Sequence, residues 1–213
     1  KCLGGALLAR SDAFFADPAI NPVLRTLWQP RIRLALVWAE EEVAKLADEG
    51  RTFALAEKWG NYQLGGIRLS GKVDRIDRMA DGSLVIVDYK TGSAPSGKKI
   101  AAGFASQLGL LGLIAQESGF DGLIGQASSF EYWTLNKRER GAFGARKILF
   151  GKKNDDPEAH SQFIADSGSN ALDVFQDYLL GTKPFVAKLH PEHALGSDYD
   201  QLMRLSEWVG RDV

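Results

Sequence analysis

The segment from Leu69 to Gly92, LSGKVDRIDRMADGSLVIVDYKTG, constrains this chain most, because it reads as two strands joined by a tight turn whose length decides which side chains meet. Side chains two apart on a strand share a face, and so do directly opposed residues on paired strands. A two-residue turn at Asp81-Gly82 would oppose Asp74 to Tyr89 and send Asp74 and Asp88 to different faces. A three-residue loop, Ala80-Asp81-Gly82, with Gly82 in the left-handed conformation, instead opposes Met79 to Ser83, Ile76 to Ile86 and Asp74 to Asp88. We expect the three-residue loop. Lys90 then follows on the Asp88 face, whereas Asp77 falls on the other face and Asp81 serves the turn, so both read as structural.

Opposed carboxylates have Cβ atoms about 4.5–5.5 Å apart and repel unless a proton or a cation sits between them. Hard oxygen ligands without cysteine or histidine suit Mg²⁺ or Mn²⁺ better than zinc. Asp-X-Lys alone arises by chance and strand-end charges are commonly solvated. Here, however, the triplet follows the wholly apolar Leu84-Val85-Ile86-Val87 run, which reads as a buried central strand with its charges at the end.

Gly71-Lys-Val-Asp74-Arg-Ile-Asp77, then Asp88-Tyr-Lys-Thr-Gly92, then a helix bearing Gln107, resembles in order and spacing the RecB-like branch of the PD-(D/E)XK nucleases. Lys183-Pro184-Phe185, Asp198-Tyr-Asp-Gln-Leu and Glu207-Trp208 are similar to the tail of AddB-type nuclease domains that lack an iron–sulfur cluster. The resemblance covers roughly residues 28–213. It implies an α/β fold with a restriction-endonuclease-like core: a central mixed β-sheet, an antiparallel hairpin carrying the site, and flanking helices. It implies that Asp74, Asp88 and the Tyr89 carbonyl hold Mg²⁺ or Mn²⁺, that Lys90 orients the attacking water or offsets phosphate charge, and that Gln107 assists. Glu57 is a candidate auxiliary acid. The implied activity is exonucleolytic hydrolysis of DNA, within a double-strand-break repair complex containing an AddA-like helicase–nuclease subunit in the bacterial cytoplasm.

Two features depart from that pattern. Members of the branch carry an upstream metal-binding histidine, whereas His160, His190 and His193 all follow the motif, and Leu111 stands where a tyrosine is common. The chain opens at Lys1, which suggests a C-terminal fragment of a larger protein, without the helix bearing that histidine. An inactive DNA-binding or subunit-interaction module of the same fold is therefore the alternative reading.

A 213-residue chain with 45% hydrophobic content can bury one core, so one domain is expected, with its core near 29–150 and a helical extension near 151–213. The single Cys2 excludes a disulfide framework and a four-cysteine iron–sulfur cluster. No apolar run approaches the roughly 20 residues that span a bilayer. The net charge of −1 argues against a uniformly basic nucleic-acid binder, so DNA contacts must be local. Arg75, Lys98 and Lys99 are candidates, as is the stretch with Lys137, Arg138, Arg140, Arg146, Lys147, Lys152 and Lys153, which could equally be a solvated edge hairpin.

The patterning predicts helices near 29–49, 101–118, 168–180 and 198–209, and strands near 62–78, 83–91, 125–135 and 144–150. Glu40, Glu41 and Glu42 lie about 100° apart on the first helix, so at most one could face a site. Tyr132 and Trp133 alternate on a strand as core and surface packing.

Overall fold

The computed structural model describes residues 4–137, 143–150 and 157–185. The chain divides into two compact units, Lys1–Gly168 and Ser169–Val213. In the first unit a five-stranded sheet has the order β1-β2-β3-β4-β5, with β1 Thr52–Leu64, β2 Ile67–Arg78, β3 Leu84–Lys90, β4 Ala127–Lys137 and β5 Phe143–Ile148. The β3–β4 pair is parallel and the other pairs are antiparallel, so the sheet is mixed. A parallel pair needs a crossover, and helices α3 (Gly97–Ala101) and α4 (Gln107–Gln116) supply it.

The β2–β3 turn has the expected three-residue form. Met79 N–H donates to the Ser83 carbonyl, Gly82 takes φ +87°, and Ile76 stands opposite Ile86. Asp81 Oδ1 accepts from the Ser83 amide and hydroxyl, closing the turn with its side chain and holding its own pKa below the usual carboxylate value. The expected strand over 62–78 is in fact two strands: Gly65 and Gly66, both at positive φ, turn β1 into β2. β1 was missed because its apolar residues do not alternate; its pairing with β2 shifts at Phe53/Leu55.

The expected helix at 29–49 is the later part of α2, Pro22–Asp48, which starts where Asn21 accepts a hydrogen bond from the Val23 amide and Pro22 occupies the first turn. Pro30 is accommodated inside it. An earlier helix, α1 Gly4–Ala16, was not anticipated. The helix expected over 101–118 is interrupted at Gly103 (φ +77°), giving α3 and α4.

Each face of the sheet buries its own core. On one, Val73, Ile76, Leu84, Ile86 and Phe130 pack with Leu108, Leu111 and Ile114 of α4 and with Phe163 and Ile164 of α5 (Pro157–Val174). α4 lies so close that a Cβ on Gly71 would be 2.9 Å from Leu111, and one on Gly60 would be 2.8 Å from Ile114. On the other face, Val85, Val87 and Trp133 pack with Leu46, Val43 and Trp38 of α2. Tyr132 and Trp133 are therefore both core residues, one in each layer; the surface role expected for one of them is corrected, because β4 is covered on both faces.

Beneath α2 lies a buried charge cluster. Arg51 Nε donates to Asp77 Oδ2 at 2.8 Å, and its two terminal nitrogens reach Glu131 at 2.8 and 3.2 Å. Arg75 Nε donates to Asp77 Oδ1 at 2.7 Å, and Trp133 Nε1 donates to Glu131 Oε2 at 2.8 Å. Two guanidiniums and two carboxylates thus balance, with their hydrogen bonds joining the residue before β1 to β2 and β4.

α5 begins in the first unit. There His160 is buried among rings, 5.9 Å from Phe130 and 5.4 Å from Phe150 between centroids. In the second unit, residues Phe175–Leu180 form a π-helical turn where an α-helix to 180 was expected. Lys183 folds back on it, 2.7 Å from Asp177 Oδ2 and over the Tyr178 ring. The expected helix at 198–209 lies outside the described residues.

Removing one partner of a buried ion pair leaves a charge without compensation, at a cost of about 3–5 kcal/mol. Arg51→Ala should lower the free energy of urea unfolding by that amount, whereas Arg33→Ala, at an exposed pair with Asp12, should leave it nearly unchanged. Equal effects of the two substitutions would show that the cluster does not hold the sheet together.

Candidate active site

The site forms where β3 leaves its core. Leu84 and Ile86 are buried against α4, and the same alternation directs Asp88 and Lys90 to that face just beyond the apolar run. The β2–β3 ladder is paired as far as Arg75 opposite Val87, and the same register carried one residue on sets Asp74 against Asp88. At that step a side chain replaces the next backbone bond: Asp74 Oδ2 accepts from the Tyr89 amide at 2.8 Å.

Gln107 is the first residue of α4, and its Oε1 accepts from Lys90 Nζ at 3.2 Å. Lys90 Nζ lies 2.7 Å from Asp88 Oδ2 and 5.7 Å from the centre of the Tyr132 ring. Asp74, Asp88, Lys90 and Gln107, singled out in the sequence, are thus brought together. Asp88 is only 2% exposed, and burial raises its pKa above the usual carboxylate value; the Lys90 ammonium opposes this shift and the Asp74 charge adds to it.

Asp88 Oδ2 is buried and, despite the nearby ammonium, accepts no aligned hydrogen bond among the described residues. A buried carboxylate oxygen left in this way, beside a second carboxylate, fits a small oxygen-seeking cation. Among the described residues no third carboxylate, histidine or cysteine joins them in a cluster that could hold a metal. Oxygen donors beyond Asp74 and Asp88 would have to be backbone groups, the substrate or water.

Glu57 lies within β1 rather than before it, at φ +54°, opposite Asp74 by register, and its exposed carboxylate is paired with Lys72. Arg75 is not a free DNA contact. It projects to the opposite face, held by Asp77 and lying over the Trp133 and Phe53 rings, and the Asp77 carboxylate helps to keep its pKa raised despite burial.

Arg146 and Lys147 do not form one basic stripe, because neighbours on a strand point to opposite faces. Arg146 pairs with Glu42 of α2 at 3.5 Å, while Lys147 donates to the Pro95 carbonyl of the loop after β3. Lys98 and Lys99 are exposed on α3, whose N-terminus Ser96 caps, and Lys137 is exposed at the end of β4. Arg138, Arg140, Lys152, Lys153, His190 and His193 lie outside the described residues. Of the glutamate triplet, Glu42 is taken up by Lys45 and Arg146.

Two residues that the sequence assigned other roles, Tyr132 to packing and Lys147 to DNA contact, contribute to the site's surroundings. Tyr132 is opposite Asp88 in the parallel ladder and carries Lys90 over its ring; burial pushes its own pKa up to about 12. Lys147, opposite Tyr132 on β5, ties down the loop that leaves Lys90. Both depend on β4 and β5 pairings that no local pattern announces.

No curated protein matches the chain significantly. Among solved structures, the protein SSO0001 is 12% identical, with 76% of this chain and 83% of that chain covered and a TM-score of 0.27. A protein from Eubacterium rectale named "putative exonuclease" is 11% identical, with 97% and 80% covered and a TM-score of 0.36. The family model of the PD-(D/E)XK nuclease superfamily, whose members typically use divalent metal ions, matches residues 6–202. With the mixed sheet and the Asp74–Asp88–Lys90 arrangement it spans, that match places this chain in the PD-(D/E)XK nuclease superfamily.

Proposed function

We propose that this chain is a Mg²⁺- or Mn²⁺-dependent DNA exonuclease domain of the RecB-like branch, acting as the AddB-type module of a bacterial, cytoplasmic double-strand-break repair complex with an AddA-like helicase–nuclease partner. The observation that carries the catalytic part is the convergence of Asp74, buried Asp88, Lys90 and Gln107 at one strand end. The motif spacing and the tail residues 183–208 support the AddB-type assignment.

Asp74, Asp88 and the Tyr89 carbonyl would hold the cation, which supplies Lewis-acid stabilisation of phosphoryl charge when bound. Lys90 carries a fixed ammonium in a half-buried position, where a positive charge offsets the negative charge that develops on a phosphodiester as water attacks. Gln107 Oε1 and the Tyr132 ring hold that ammonium in place. Lys98 and Lys99, on the helix that follows the site's strand, are the phosphate contacts best placed for a substrate backbone.

The inactive-module reading is weakened by Asp88. Two neighbouring carboxylates with one ammonium beside them leave excess negative charge at a buried strand end, which a purely structural role does not require.

Cleavage of end-labelled linear DNA with Mn²⁺ tests the activity. Lys90→Ala should lower the rate about 10²–10³-fold, and Asp88→Asn should remove metal-dependent cutting, with both variants still folded. Cutting unchanged by either substitution would end this assignment. A wild-type chain that binds DNA but does not cut it would favour the inactive module.

The raised pKa of Asp88 gives a second expectation. A proton and the cation compete for the same carboxylate, and the proton wins at a higher pH than for an ordinary aspartate. Mn²⁺ affinity, followed by electron paramagnetic resonance, should therefore weaken as the pH falls, beginning above the ordinary carboxylate range. Because the ammonium lowers that pKa, Lys90→Ala should move the weakening to higher pH. A shift to lower pH would contradict the electrostatics described above.

A further inference from the structure

We infer that a groove on the β1 edge of the sheet, separate from the Asp74–Asp88 site, holds an unpaired strand of the nucleic-acid substrate by stacking a base on Trp59. The inference rests on the nuclease reading for its ligand class, and on the groove's own residues for its place.

The groove has a volume of about 460 Å³ and is lined by Leu55, Lys58, Trp59, Arg78, Phe120 and Asp121, among others. None of the four proposed catalytic residues lines it. Trp59 is 70% exposed, the most exposed tryptophan among the described residues, although the core-facing positions beside it are closely packed. Gly60, its neighbour, lies against Phe120 and Ile114, so the backbone beneath Trp59 is fixed while the indole stands in solvent. A large aromatic face on a rigid strand is a stacking platform with little conformational entropy to lose.

The charges favour a phosphate backbone. Lys58 is exposed at the wall, and Arg78 is fixed there by donating to the Gly82 and Ile124 carbonyls at 2.8 and 2.9 Å. These two cations outnumber the one acid, Asp121. A groove meant for an apolar segment has no use for an ammonium and a guanidinium beside its aromatic residue.

The position relative to the site agrees. Leu55 pairs with Ile76, Lys58 with Val73 and Trp59 with Lys72, so the β1 residues of the groove flank the Glu57–Asp74 level, with Trp59 two residue pairs from it. With strands about 4.8 Å apart and a rise of about 3.3 Å per residue, the Trp59 and Asp74 Cα atoms are about 8 Å apart. An unpaired strand is more extended than a duplex strand, whose rise is about 3.4 Å per nucleotide, so at most two to three nucleotides bridge that interval. A strand with one phosphate at Asp74 and Asp88 can therefore lay a nearby base on Trp59. Unpaired bases expose the faces that stack, and paired ones do not, so the groove selects a single strand.

The experiment is a fluorescence-anisotropy titration of a labelled thymidine oligomer of about 12 nucleotides with the full chain in EDTA, where cutting cannot interfere. Trp59→Ala should weaken binding about tenfold and Trp59→Phe less, with a smaller change for duplex DNA of the same length. Lys58→Glu should weaken binding and reduce its salt dependence. Wild-type affinity in a folded Trp59→Ala protein would overturn the inference. If that variant does not fold, unchanged affinity and salt dependence in Lys58→Glu would overturn it instead. Binding that depends on Trp59 in a protein that never cuts DNA would leave the groove in place and remove the catalytic reading; cutting with Trp59-independent binding would do the reverse.

Discussion

The structure depends on the register of one hairpin. Because strand side chains alternate, a turn one residue shorter after Met79 would carry Asp88 and Lys90 away from Asp74 and into the layer beneath α2. Gly82 in the left-handed region and the Asp81 side chain on Ser83 hold the three-residue loop, and the sheet inherits its alignment from them. The apolar run of β3 agrees with that alignment, since a slip would place Asp88 where Val87 now packs.

The two faces divide the labour. On the α4 face the charges are incompletely satisfied: a buried carboxylate oxygen lacks an aligned donor, and one ammonium is shared among Asp88, Gln107 and the Tyr132 ring. On the α2 face, Arg51, Arg75, Asp77 and Glu131 engage one another through well-formed hydrogen bonds. Acids and bases meet on both faces, but they are satisfied to different degrees. The difference is whether each charge finds its partner within the fold.

The hairpin that carries the candidate site was legible because its information is local: turn chemistry, alternation and an apolar run lie within 24 consecutive residues, Leu69 to Gly92. β1 was not, because a positive-φ Glu57 and the shift at Phe53 break its alternation. The roles of Arg51, Glu131, Tyr132 and Lys147 were hidden for another reason. Each acts through a residue distant in sequence, so only the completed sheet brings them together. Within the basic stretch 137–153, composition counts Arg146 and Lys147 together, whereas a strand separates them.

Asp74 has one task that Asp88 does not share: besides its place in the site, it accepts the Tyr89 amide where the backbone ladder stops. The two acids are therefore unequal under mutational drift. A descendant freed from selection on the site could exchange Asp88 for a small apolar residue only together with Lys90, whose half-buried ammonium would otherwise lose its counter-charge. It would still need an acceptor such as asparagine at position 74 to keep the strand end closed. Sequence decay in this lineage should therefore erase Asp88 and Lys90 as a pair and leave a polar relic of the first acid.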